Sequence, residues 1–277
     1  MKKRLLVGLV ILFIAATVSY TQPLEPAEPA IQGTLDLSFT SLYVWRGFNV
    51  FGSKSAVHPS IDLYSPSTNL GFDLTVHRAN ASGYENFERW DYNLYYLTKL
   101  FAGEAAEMDF RFGYVYYNYP QNSSHDSLSI DLQEAHMVMS LPKLLPIDGL
   151  VPSYVLVKLW PSNSDSIIGD MSPSGGTASG FAHIFMLDYA LPYVCPFTGV
   201  DRKLNLHAEA VYNDGVSPTG SNVDHDWSNA VFGATTAYEL QDNLFLTPGF
   251  FYQSTWDKSV NPRGDEYWGS LSLTWKF

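Results

Sequence analysis

The sequence predicts an all-β chain: a transmembrane antiparallel up-and-down β-barrel of about twelve strands, with ten to fourteen compatible with the pattern. Three observations predict it. Apolar and polar residues alternate with period two over segments of roughly 9 to 14 residues, whereas an ordinary globular strand runs roughly 5–6. The connections between segments alternate between short and long. Ionisable side chains collect on one parity of the segments and leave the other almost free of charge.

In chain order, the first element is not a strand. Lys2, Lys3 and Arg4 precede an apolar run from Leu5 to Val18, with the small residues Thr17 and Ser19 at its end. This is the pattern of a secretory signal peptide over residues 1–19, shorter than the roughly 20 apolar residues of a spanning helix. Residues 20–33 include QPLEPAEPA, whose alternating Pro, Glu and Ala favour an extended, solvated periplasmic tether. The barrel is expected over 34–277.

The segments lie near 34–48, 57–65, 70–78, 90–101, 108–117, 130–141, 151–160, 180–191, 203–213, 228–240, 244–253 and 267–277. In 70–78, Leu70, Phe72, Leu74 and Val76 share one parity while Asp73, Thr75 and His77 take the other. In 267–277, Leu271, Leu273, Trp275 and Phe277 alternate with Ser270, Ser272, Thr274 and Lys276. Short links such as Ser65–Asn69 and Gln241–Asn243 separate pairs of segments, and long polar ones lie between the pairs. Two links on the short side, Pro142–Leu150 and Pro192–Lys203, are longer than that rule expects. Pro59 and Pro248 fall inside segments, where a missing N–H predicts a bulge or a later strand start.

The charge pattern assigns the faces. The parity read as inward holds Asp36, Asp62, Asp73, Asp91, Lys99, Asp109, Arg111, Glu134, Lys158, Asp188, Glu209, Glu239 and Lys276. His183 is the one ionisable residue read on the outward parity. Lipid enforces this sorting, because an outward Lys or Arg at the bilayer midplane costs roughly 2–4 kcal/mol. Tyr and Trp toward strand ends, among them Tyr43, Trp45, Tyr116, Tyr212 and Trp275, fit an interfacial aromatic girdle. Inward Tyr64, Tyr95, Tyr154, Phe245 and Phe251 would narrow the bore.

Arg46 stands inside the aromatic run YVWRGF. Continuing the first strand's parity puts Tyr43 and Trp45 outward and Arg46 inward near the outer rim, with Gly47 allowing a bend or bulge. Its expected partners are Asp62, Asp265 or Glu266, and its role is either to pin the first loop or to line a constriction.

The stretch FTSLYVWRGFNVFGSKSAVHPSIDLY resembles the N-terminal signature of the TorF family of bacterial outer-membrane porin-like proteins. GYVYYNYP (Gly113–Pro120) and DLQEAHMVMSL (Asp131–Leu141, containing Glu134) add to the likeness, which covers residues 34–141 well and the rest weakly. The order after the first loop, AVHPSIDL, departs from the family's pattern. The resemblance implies a barrel and a porin function, and it carries no catalytic site.

The resulting functional reading is a channel for passive diffusion of small hydrophilic solutes in the bacterial outer membrane. The pore-lining candidates are Arg46, Asp62, Asp73, Asp91, Asp109, Arg111, Glu134, Lys158, Asp188 and Glu209. Their excess of carboxylates favours cations, unless the charges pair into a network that merely fills the lumen. The partners are outer-membrane lipid, the solutes, and the barrel assembly machinery, met through the closing strand that ends in Phe277. A net charge of -12 excludes the basic footprint of a nucleic-acid binder, and the single Cys195 excludes an intrachain disulfide. No cofactor is implied. Two alternatives remain open: a scaffold or surface-binding barrel without a pore, and a hydrolase or metal site in the loops Ser123–Ser127 or Val223–Trp227, with Asp224, His225 and Asp226 as ligands. Neither GxSxG nor HExxH occurs to support catalysis.

Overall fold

The computed structural model describes residues 30–80, 88–120, 131–162, 179–195, 199–217 and 223–277. The signal peptide, most of the tether and the Ser123–Ser127 loop lie outside these residues. The strands are β1 (Gln32–Thr40), β2 (Val44–Trp45), β3 (Phe48–Asn49), β4 (Ala56–Ser65), β5 (Leu70–Ala79), β6 (Glu88–Leu100), β7 (Met108–Asn118), β8 (Leu132–Ser140), β9 (Leu150–Pro161), β10 (Gly180–Val194), β11 (Asp201–Asp214), β12 (Asp226–Thr236), β13 (Tyr238–Gln241), β14 (Leu244–Thr255) and β15 (Glu266–Lys276).

Every neighbouring pair in the large sheet is antiparallel. The sheet closes because β1 pairs with β15 and β14 pairs with both β12 and β13. β13 continues the line of β12, so the barrel has twelve staves and leaves no open edge. The short turns sit at one end together with the start of β1 and the C-terminus, where Gly33 and Phe277 exchange two backbone hydrogen bonds of 2.8 and 2.9 Å.

The prolines keep their register. On β4, Pro59 faces out opposite Leu37, and the ladder to β5 runs from Val57↔Arg78 to Ser60↔Thr75 with no slip across the unpaired step. Pro248 lies opposite Thr236, the last residue of β12, beside the one-residue break before β13; having no N–H, it gives no ladder bond there, and the register is the same on both sides. Neither proline makes a bulge or delays its strand.

The outer surface is apolar in a band. Leu35, Leu37, Phe39, Phe72, Leu94, Phe112, Phe185, Phe232, Phe250, Leu271 and Leu273 are all exposed. In water such a surface would drive aggregation; in a bilayer it is the buried face. The inner parity carries the polar row, and glycines there make room for large neighbours. A Cβ on Gly71 would meet the Tyr95 ring within 2.4 Å, so this glycine lets Tyr95 lie flat against the wall.

Four parity assignments change: Tyr43, Trp45, Lys158 and Tyr154, the last expected to narrow the bore but facing outward. The first strand ends at Thr40 rather than 48, and Tyr43 and Trp45 turn into the lumen instead of joining an outer girdle. Lys158 faces outward, paired with outward Phe181, with its Nζ 4.4 Å from that ring's centroid. The cause is that β9 is apolar on both faces: Val157 and Leu159 are fully buried inside, so alternation on this strand does not mark the lipid side. Lys158 lies near the long-loop end of β9, where a long side chain reaches toward water. Tyr154 shares this outward face, and its hydroxyl lies 2.7 Å from Nδ1 of His183, satisfying the one ionisable group expected there.

Candidate constriction of the lumen

Residues 41–55 do not stand above the barrel. They fold down into it as a small hairpin. Val44 pairs with Asn49 and Trp45 with Phe48, leaving Arg46 and Gly47 as a two-residue turn. Their φ values of 50° and 91° are both positive, as a type I′ turn requires. The dipeptide is therefore a hairpin turn rather than a bulge. It also reaches the far wall: a Cβ on Gly47 would lie 2.4 Å from Oδ1 of Asn229 and 2.9 Å from Cγ1 of Val260. Gly47→Ala should lower stability by roughly 1–3 kcal/mol, from left-handed strain and the close contact together, read as a shift in urea midpoint in detergent.

The turn places Arg46 against Glu134 of β8. The two guanidinium nitrogens donate to the two carboxylate oxygens at 2.5 and 2.7 Å. Glu134 is fully buried and also accepts from the Tyr117 hydroxyl at 2.7 Å, while His136 Nδ1 lies 3.1 Å away. The planar fork fits this carboxylate as a point ammonium would not. The expected partners do other work. Asp62 accepts from the Tyr95 hydroxyl at 2.6 Å, and Asp265 accepts from the Tyr252 hydroxyl at 2.8 Å. Glu266 does hold the hairpin, but through Asn49 at 2.6 Å.

A second buried arginine organises the base of the hairpin. Arg89 of β6 is 1% exposed and grips Asp91 through Nε and Nη2, both at 2.7 Å. Nη2 also donates to the Tyr43 hydroxyl at 2.7 Å. The guanidinium lies 5.1 Å from the Trp45 ring and 4.8 Å from the Tyr117 ring, within cation–π range. Burial pushes the Tyr43 phenol above its usual range, so it stays protonated despite the neighbouring arginine. Tyr43 also stacks on His77, centroids 4.8 Å apart. His77 Nε2 lies 3.0 Å from Asp91, and the His58 and His77 Nδ1 atoms are 2.8 Å apart. On the opposite side, Gln253 of β14 donates to the Gly47 carbonyl at 3.0 Å, and Phe48 packs with Val223 and Val260. The hairpin is thus fastened to strands all around the barrel.

The remaining candidates lie on the inner parity below it. Asp62 and Asp73 face each other across β4 and β5. The Arg111 guanidinium lies 3.8 Å from the centroid of the Tyr95 ring beside them. Asp109 pairs with Lys99 at 3.0 Å near the short-turn end. Asp188 and Glu209 flank His207, at 2.7 and 3.5 Å. Lys158 is not among them. In the loops, His225 Nδ1 bonds to Asp214. Among the described residues, no group of three or more His, Cys, Asp or Glu side chains is placed to hold a metal.

Sequence reasoning missed Arg89, His58, His77, Asn229 and Gln253 as site residues. Arg89 was legible in one respect: it stands two residues before inward Asp91 and so shares its parity.

The apolar belt, the closed ring and the inward hairpin define the class: a membrane-spanning β-barrel whose lumen is narrowed from within. Among solved structures, the chain is similar to a KdgM porin in complex with disordered oligogalacturonate (TM-score 0.49, 9% identity, 89% of this chain and 99% of that one). It is similar also to a NanC porin (0.49, 11%, 87% and 97%) and to an outer-membrane channel from Pseudomonas putida F1 (0.47, 13%, 91% and 97%). Likeness this distant says nothing about solutes. No protein-family model and no curated protein matches the sequence.

Proposed function

We propose that this chain is an outer-membrane channel for passive diffusion of small hydrophilic solutes, cation-preferring, and a member of the TorF-like porins by its YVWRG signature. The observation that carries the reading is the position of the hairpin: it lies inside the ring, above a lumen whose wall bears Asp36, Asp62, Asp73, Asp188 and Glu209. A constriction at one level over a polar, acidic bore is what a diffusion channel with a size limit needs, and net negative wall charge concentrates cations. The long-loop end is then extracellular and both chain ends are periplasmic. Phe277, exposed on the outward parity at the end of the closing strand, is available to the assembly machinery.

The test is planar-bilayer recording of the refolded protein across a KCl gradient. The expected reversal potential has the sign of potassium preference, and Asp62→Asn with Asp73→Asn moves it toward zero. Chloride preference overturns the charge assignment. Absence of current overturns the channel and leaves a scaffold barrel, a reading that the fully buried Arg89, Leu132, Val157 and Leu159 around the hairpin favour.

A further inference from the structure

The wall formed by β10 to β15 carries a feature that the constriction does not use. Cross-strand pairing sets Asp188, His207, Gly233, Phe251 and Trp268 side by side on the inner parity. A Cβ on Gly233 would lie 2.5 Å from Cδ1 of Phe251, so the Phe251 ring lies across the bare backbone of β12. Trp268 stacks on Phe251 with centroids 5.4 Å apart and planes 11° from parallel. Together they form a shelf of overlapping rings, both half-buried.

What lies above and below gives the shelf its meaning. One step toward the long loops are Gln253 and Glu266, the residues that hold the hairpin. The shelf is therefore the wall directly beneath the constriction. One step toward the short turns are Asn205, Thr235, Gly249 and Ser270, again side by side. Large rings over a row of small amide and hydroxyl side chains make a recess. Its nearest charges are not free: His207 lies between Asp188 at 2.7 Å and Glu209 at 3.5 Å and engages both.

We infer that this recess is a solute subsite for a neutral pyranose sugar; the inference rests on the channel reading above. A pyranose has one face of C–H bonds, which packs on an indole ring, and an equatorial rim of hydroxyls, which need uncharged donors and acceptors such as Asn205, Thr235 and Ser270. An acyclic polyol has the hydroxyls without the flat face. A cation would call for an uncommitted carboxylate, and the two beside the shelf are engaged by His207.

The experiment is current block in single channels, with maltotriose as probe and sorbitol as control. Maltotriose is expected to block in a concentration-dependent way and sorbitol not to. Trp268→Ala should raise the half-blocking concentration about tenfold, the scale of one aromatic stacking contact. Trp268→Phe, which keeps a ring, should restore most of the block; it also answers the objection that the alanine variant is misfolded. Open channels that maltotriose never blocks, or blocks equally in Trp268→Ala, overturn the subsite and leave the channel standing. Block by lysine that depends on Trp268, with none by maltotriose, overturns the sugar assignment in favour of a cation. A wild-type protein that passes no current overturns the channel reading itself, and the subsite with it.

Discussion

Replacing Glu134 by alanine should release the hairpin and raise the single-channel current several-fold. Glu134 is fully buried and takes both arms of the Arg46 fork. Without it the largely buried guanidinium loses its counter-charge, a change whose cost reaches roughly 3–5 kcal/mol for a fully buried charge. The barrel strands cannot relieve that cost, but the hairpin can, by leaving the lumen for water. The penalty should therefore appear as local opening rather than global unfolding. Hydrogen exchange should quicken over residues 41–55 while the strands keep their protection. The double variant, Arg46→Ala with Glu134→Ala, removes both charges and should be less destabilised than Glu134→Ala alone. Wild-type current and exchange in Glu134→Ala would show that the pair does not hold the hairpin.

Arg89→Met should be at least as damaging to stability, by roughly 3–5 kcal/mol, but in a different way. Arg89 and Asp91 belong to the barrel wall itself, two residues apart on β6. Methionine fills much of the volume but strands the Asp91 carboxylate with only His77 and leaves the Tyr43 hydroxyl without its donor. The expected readout is a lower thermal midpoint by far-ultraviolet circular dichroism in detergent. Lysine should not rescue it, since one ammonium cannot hold both Asp91 oxygens and Tyr43 together. Arg89→Met with Asp91→Asn should recover part of the loss, because the stranded charge is gone. An unchanged midpoint in Arg89→Met would mean that this buried cluster contributes no net stability.

The staves were legible because two solvents act on alternate residues. Lipid selects Leu35, Leu37 and Phe39, and the polar lumen selects Asp36 and Ser38, so the period appears in a single sequence. The same logic failed where one solvent is missing. On β9 the inner face meets the hairpin's apolar core instead of water, so Val157 and Leu159 resemble lipid-facing residues and Lys158 was placed on the wrong side. The hairpin was hidden by a period carried past the end of β1. VWRGFN holds only part of a two-residue turn signature: Gly47 stands between apolar Trp45 and Phe48, but Arg46 takes the place where Asn or Asp is usual. The Arg46 partner was not legible at all: 88 residues separate it from Glu134, and any inward carboxylate satisfies the same pattern. Arg89 falls outside the alternating segment 90–101, whereas β6 begins two residues earlier at Glu88.

The central claim is that a hairpin fastened inside a twelve-stave barrel sets the width of its bore. The most direct measurement compares single-channel current in the intact chain with that in a chain whose residues 43–51 are replaced by a short Gly-Ser link. The account predicts a current several-fold larger without the hairpin. Equal currents from the two chains would contradict it.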